Sequence, residues 1–287
     1  MRPTNLKSKI FLDSADPEET REAVALLGFL DGQTTNPTLI AKNPAVKGYL
    51  NAGGKLNKNN IDNFYRLVAK EISGLIPGGS VSVEVYADKE TSTESMVREA
   101  ENMFGWIPNA HIKLPITSEG LIAANYLVKE KIRVNMTLCF SEEQAAAVYI
   151  STKGAVKGQV FISPFIGRLD DRGENGMDLI KNIIKMYRQS DGHVEVLTAS
   201  ARNLDHFFYA IQLGSDIITA PFKILKEWAD KKFPLPQENY FYNRSELSRI
   251  AYKNLDLNKS VKTFNIAHDL TDAGIIRFSE DWNKLIS

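Results

Sequence analysis

The chain has 287 residues, with 35 basic against 35 acidic side chains. A formally neutral chain carries no general electrostatic signature for nucleic acid or an anionic membrane, and its longest apolar runs fall far short of the roughly 18 residues that span a bilayer. One cysteine, Cys139, excludes an intramolecular disulfide and any Cys-cluster metal site.

The first residues, MRPTNLKSKIFLDSAD, are basic without a sustained apolar core and do not read as a secretory signal; a soluble cytoplasmic protein is expected. From there to about residue 221, short β-like runs alternate with helix-like segments. The runs are KIFLDS (9–14), DGQTTN (31–36), SVSVEVY (80–86), AHIKLP (110–115), IRVNMTLC (132–139), GQVFISPF (158–165), HVEVLTAS (193–200) and SDIITAP (215–221). Between them, EETREAVALLGFL, IDNFYRLVAKEISGLI, TSEGLIAANYLVKEK, SEEQAAAVYISTKG, MDLIKNIIKMYRQS and NLDHFFYAIQLG space their apolar residues as helices do. Gly154, Gly192 and Gly214 stand where helix C-caps would want them.

Eight strands at roughly 26 residues per repeat predict an α/β fold, a (β/α)₈ TIM barrel. No strand is followed by a glycine-rich dinucleotide fingerprint, which argues against a doubly wound sheet. NAGGKLNKNN (51–60) lacks P-loop spacing and reads as a solvated loop. The expected organisation is a single barrel domain over 1–287, with the barrel at about 9–221 and a helical extension at about 222–287. That extension opens with FKILKEWADKKF and ends in the helical pattern IIRFSEDWNKLIS. Its aromatic cluster Tyr240, Phe241 and Tyr242 fits an oligomer contact, a lid or a connector pinned onto the barrel; a homo-oligomer is expected.

The polar residues of the strands are concentrated at one end. Asp13 ends the first run, Asn36 the second, and Glu84 sits in the third; Lys113 lies in the fourth, Asn135 and Thr137 in the fifth. Ser163 falls near the end of the sixth with Arg168 beyond it, and Ser200 ends the seventh, two residues before Arg202. Barrel active sites form at that C-terminal face. Period-2 alternation puts His111, Lys113 and Pro115 on one side and Ile112 and Leu114 on the other, so Lys113 points into the barrel if the aliphatic pair meets the helices. Taken alone, each residue has a plain structural reading. His111, His193, His206 and His268 show no ligand pairing and read as structural, and Cys139 as a small core residue. Their joint placement is what a core would not tolerate without function.

Burial disfavours the charged form of a lysine, and a neutral amine attacks a ketone to give a Schiff base. The iminium accepts electrons when the neighbouring C–C bond breaks, without metal or cofactor. Asp13, and Glu84 through a water held by Thr137, suit the proton transfers. Asn36, Asn135 and Ser163 suit a polyhydroxylated chain. Arg168 and Arg202 with Ser200 suit a phosphate or similar anion. Class I aldol chemistry on a sugar phosphate is the reading.

QTTNPTLI (33–40) resembles the signature of the transaldolase family. HIKLPITSEGL resembles its Schiff-base segment, VNMTLCFS its fifth-strand segment, and SPFIGR and ASAR its phosphate-site segments. The five motifs stand in family order and cover about residues 9–225. The resemblance implies a (β/α)₈ barrel that transfers a dihydroxyacetone unit from fructose 6-phosphate or sedoheptulose 7-phosphate to an aldose phosphate, in the pentose phosphate pathway. It implies Lys113 as the Schiff-base residue, Asp13 as acid–base, and Glu84 with Thr137 on the catalytic water. Thr35, Asn36, Asn135, Ser163 and Phe165 would contact the substrate, and Arg168, Ser200 and Arg202 its phosphate. The related fructose 6-phosphate aldolases carry Gln, Leu and Tyr where this chain has Glu84, Asn135 and Phe165, so the chain is of transaldolase type. Two arginines also suit a sugar sulfonate, and a non-catalytic sugar-phosphate barrel would not need Lys113. The chain is shorter than the common bacterial and eukaryotic transaldolases, and its C-terminal segment departs from theirs.

Overall fold

Eight parallel strands close into a barrel in sequence order in the computed structural model, which describes residues 2–188 and 190–286. Gln189 and Ser287, counted in helical patterns above, and Met1 lie outside the described residues. The strands are β1 (Lys9–Asp13), β2 (Gly32–Thr34), β3 (Ser80–Glu84), β4 (Ala110–Pro115), β5 (Val134–Cys139), β6 (Val160–Pro164), β7 (Val194–Thr198) and β8 (Ile217–Ala220), with β8 paired back onto β1. All eight expected strands are present, most of them shorter than their sequence runs. The lost residues are turn formers and caps: Asn36, for example, leaves β2 to accept a hydrogen bond from the Leu39 N–H as an N-cap.

The outer helices are α1 (Pro17–Leu27), α2 (Pro37–Lys42), α3 (Pro44–Asn51), α4 (Lys58–Leu75), α5 (Thr93–Phe104), α6 (Ser118–Lys129), α7 (Glu142–Ser151), α8 (Ile166–Asp171), α9 (Gly176–Tyr187), α10 (Leu204–Leu213) and α11 (Phe222–Asp230). The apolar pattern did not reveal α5, whose buried stripe is Met96, Ala100 and Met103. The 4- and 3-residue spacings are helical, but Met and Ala in a charged context give a weak signal. Nor did it reveal α2 and α3, each a short helix opened by an Asn-Pro pair in which Asn caps and Pro takes the first turn. The supposed loop at 51–60 is a loop only in its middle: Asn51 ends α3, and Asn57 with Asn60 forms a capping box that starts α4.

Side chains plug the bottom of the barrel. Phe11 and Phe161 meet edge to face at 6.1 Å, and His111 stacks on Phe161 at 4.0 Å. A Cβ on Gly32 would come 2.4 Å from the Phe11 ring, so only glycine lets β2 pass it. Beyond β8, α11 packs against α1, β1 and α10. The chain then crosses the barrel flank: Tyr240 donates to Asp205 (2.8 Å), and Tyr242, buried, donates to Asp170 (2.5 Å) while its hydroxyl meets His206 Nε2 (2.7 Å). Tyr240 and Tyr242 therefore pin a connector onto α8 and α10. It leads to α12 (Asp269–Asn283), which packs against α2 and β5.

Candidate active site

The registers Glu84↔Lys113 and Lys113↔Asn135 place three polar residues side by side on β3, β4 and β5. Lys113 is buried, with Nζ donating to Glu84 Oε2 at 2.7 Å and to the Thr35 carbonyl at 2.9 Å. Ile112 and Leu114, fully buried, take the opposite face. Lys113 Nζ therefore sits in a polar pocket against a carboxyl group, with Ile112 and Leu114 on the other face as strand alternation put them. Beside it, Asp13 Oδ1 accepts from the Thr34 hydroxyl at 2.8 Å, and that hydroxyl is 2.6 Å from Thr219 Oγ1.

Burial raises the pKa of both carboxyls. For Asp13 the cost of desolvation outweighs the opposing pull of Lys113, the Thr34 hydrogen bond and Arg202. For Glu84 it outweighs Lys113 and Arg168, and the Asp13 charge adds to the rise. Two carboxyls that hold protons more tightly than usual flank one amine, which suits proton exchange with it. The Thr137 hydroxyl is buried and meets no hydrogen-bond partner among the described residues. A buried orphan of this kind suits a site that must take up water or a substrate hydroxyl.

Beside Lys113, Ser163 Oγ donates to Asn135 Oδ1 (2.7 Å), and Asn135 Nδ2 donates to Ser82 Oγ (3.1 Å). The Thr35 hydroxyl turns away, paired with Tyr65 and donating to the Ser82 carbonyl; Thr35 serves the site through its backbone oxygen. A cavity of about 170 Å³ opens above, lined by Asp13, Asn36, Lys113, Ser163, Phe165, Arg168, Ser200 and Arg202 among others. Glu84, Asn135 and Thr137 lie behind the cavity lining.

Three arginines, Arg168, Arg202 and Arg277, line the same cavity. Arg168, on α8, lies between the rings of Phe165 and Phe278, 5.3 and 5.5 Å from their centroids. It makes no hydrogen bond or ion pair among the described residues. Burial, then the charges of Arg277 and Arg202, hold it below the ordinary arginine pKa. Arg202 donates to Asp171 at 2.6 Å, and its backbone N–H donates to His206 Nδ1. Ser200 adopts φ 61°, and its carbonyl accepts from the Gly167 N–H. A Cβ at Gly167 would lie 2.3 Å from that carbonyl and from Arg202 Nε, so the glycine of SPFIGR lets the SPFIGR and ASAR segments touch. Among the described residues, no three His, Cys, Asp or Glu side chains assemble as a metal site.

Sequence reasoning missed the contribution of α12. Arg277, Phe278, Thr34, Thr38, Leu39, Ala199 and Thr219 also line the cavity, and a lone arginine in a terminal amphipathic helix carried no signal of it.

The family model described as transaldolase/fructose-6-phosphate aldolase matches residues 10–287. The chain belongs to that family. A probable transaldolase of Herpetosiphon aurantiacus is 40% identical over 277 residues, covering 96% of each chain. Probable transaldolases of Dehalococcoides mccartyi and Thermoplasma volcanium are 34% and 35% identical, over 96% of this chain and 99% and 96% of theirs. The protein is an enzyme of the transaldolase class, a transferase on a TIM barrel. The motifs reached only to about residue 225, whereas the family match runs through the C-terminal segment and its relatives are of similar length. That segment lies within the family match. No helix among the described residues is long and apolar enough to cross a membrane.

Proposed function

We propose that the enzyme moves a dihydroxyacetone unit from a ketose phosphate, such as fructose 6-phosphate or sedoheptulose 7-phosphate, to an aldose phosphate through an imine on Lys113. The observation that carries this reading is that Lys113, paired with buried Glu84 at 2.7 Å, lines the same cavity as Arg168 and Arg202. Glu84, a stronger base than an ordinary carboxylate, takes a proton from Nζ. The amine then adds to the substrate carbonyl, and the carbinolamine loses water to form the imine. Asp13 accepts the proton of the substrate hydroxyl as the C–C bond breaks, and the electron pair moves into the iminium to give an enamine. The aldose phosphate departs, a second aldehyde takes up the enamine carbon, and water restores the amine. Asn36 and Ser163 face the cavity where the hydroxylated chain would lie. Arg168 and Arg202 are placed for its anion.

Transfer rather than release rests on Phe165, which offers the enamine no proton. Mass spectrometry after borohydride reduction with fructose 6-phosphate should find the donor-derived mass on the Lys113 peptide and no adduct in Lys113→Ala. An adduct elsewhere, or full turnover in the variant, would overturn the assignment.

A further inference from the structure

The face of α12 turned to the cavity is unusual for a helix that closes a barrel mouth. Gly274, Arg277, Phe278 and Asp281 follow at i, i+3, i+4 and i+7 and so share one side. A Cβ on Gly274 would lie 2.9 Å from Arg168 Nη1, so the missing side chain lets the helix backbone approach that guanidinium closely. Phe278 covers Arg168 at 5.5 Å, and Arg277 lines the same cavity as Arg168 and Arg202.

The barrel holds this face in place. Leu138, in the irregular stretch of β5 between Met136 and Cys139, has φ 60° and accepts a hydrogen bond from Thr271 Oγ1 at 2.9 Å. Asp281 accepts from Thr38 Oγ1 of α2 at 2.5 Å. Arg277 itself is held loosely, 3.8 Å from Asp281 with its side chain 58% exposed. Such a pair holds a side chain weakly, leaving the guanidinium free to turn to a ligand.

We propose that Arg277 is a third arginine of the substrate anion site, carried in by α12, and that this third charge makes the site select a dianionic phosphate over a monoanionic sulfonate. The inference rests on the transfer reading above and names its substrate class. Phosphate and sulfonate oxygens meet a guanidinium fork in similar geometry, so shape discriminates little between them. Charge does: at equal distance each guanidinium attracts a dianion twice as strongly as a monoanion, and a third cation widens the gap. Arg168 already bears the repulsion of its two neighbours, a cost that a bound dianion removes.

The test is calorimetric titration of the full chain with inorganic phosphate and with methanesulfonate, at a mildly alkaline pH where phosphate is a dianion. Wild type should prefer phosphate. Arg277→Gln should weaken phosphate binding about 10- to 100-fold, the usual loss of a charged hydrogen bond, and weaken methanesulfonate binding much less. Arg277→Lys should recover part of the loss. In turnover, KM for fructose 6-phosphate should rise more than kcat falls, and uncharged dihydroxyacetone should be trapped on Lys113 with a far smaller loss. Unchanged phosphate affinity in a folded Arg277→Gln protein, or equal losses for both anions, would overturn the proposal. If wild type forms no imine, the transfer reading falls while the phosphate titration still decides the role of Arg277.

Discussion

Removing Lys113 and Glu84 singly and together tests the geometry of the site without relying on turnover. Both side chains are almost fully buried, and their charged atoms lie 2.7 Å apart. At an effective dielectric constant of about 20 the gross attraction is about 6 kcal/mol. Desolvation offsets part of it, and breaking a buried pair from one side costs about 3–5 kcal/mol. Lys113→Met leaves the Glu84 carboxylate without the charge that most lowers its pKa, so that pKa climbs further above the ordinary value of 4.5. The folded state of the variant then holds this proton more tightly than the unfolded chain. Its stability should fall as pH rises through the window that begins near 4.5, and level off above the folded pKa. Glu84→Gln keeps the shape and strands the ammonium, with no dependence on this window. The double variant should recover much of both losses. Urea unfolding at several pH values should give a coupling of about 3 kcal/mol or more near pH 8, shrinking near pH 4 where Glu84 is protonated. A coupling below about 1 kcal/mol at neutral pH, or one indifferent to pH, would mean that Lys113 and Glu84 do not face each other as charges.

Phe165→Tyr should raise acceptor-free release of dihydroxyacetone from fructose 6-phosphate while Lys113 trapping persists, because a phenol can hand the enamine a proton; release in wild type as fast as transfer to erythrose 4-phosphate would point to an aldolase instead. Glu99, on α5, is held by burial at a pKa of about 7 against an ordinary 4.5, so the folded state binds its proton more tightly and loses stability between those two values. Glu99→Gln should therefore match wild type near pH 4 and exceed it by up to about 3 kcal/mol above pH 7; an equal difference at both ends would show that the carboxyl does not titrate in the fold.

The barrel was legible because its signals are local. Each strand is a short apolar run closed by a turn former, and each long helix repeats apolar residues on one side, so eight units could be counted. What escaped was local in another sense. In α5 the buried stripe uses Met96, Ala100 and Met103, residues too weakly apolar to stand out from the acidic positions around them. The short helices α2 and α3 span too few turns for periodicity to register, although Asn36-Pro37 and Asn43-Pro44 mark both starts. The environment of Lys113 escaped as well. Strand alternation already put Ile112 and Leu114 on the other side, but the groups that meet Nζ come from Glu84 on β3 and from Thr35 just past β2, which no local pattern links to Lys113.

The C-terminal helix carried no such local signal. Strand-end residues announce themselves because polar groups at the ends of apolar runs are costly unless used. An arginine on an amphipathic helix costs nothing, so Arg277 looks like any solvated charge until the fold shows which way its face turns. That face is set by distant parts of the chain: by the strained Leu138 that meets Thr271, by Thr38 that meets Asp281, and by the bare backbone at Gly274 beside Arg168. Each of these pairs joins residues more than 100 positions apart, a separation that no window of sequence spans. The proposed anion site therefore divides in two. Arg168 and Arg202 belong to the barrel loops and are fixed by the Gly167–Ser200 contact, whereas Arg277 arrives only when α12 docks across α2 and β5. Without α12 docked there, the cavity would lose both Arg277 and Phe278 from its lining.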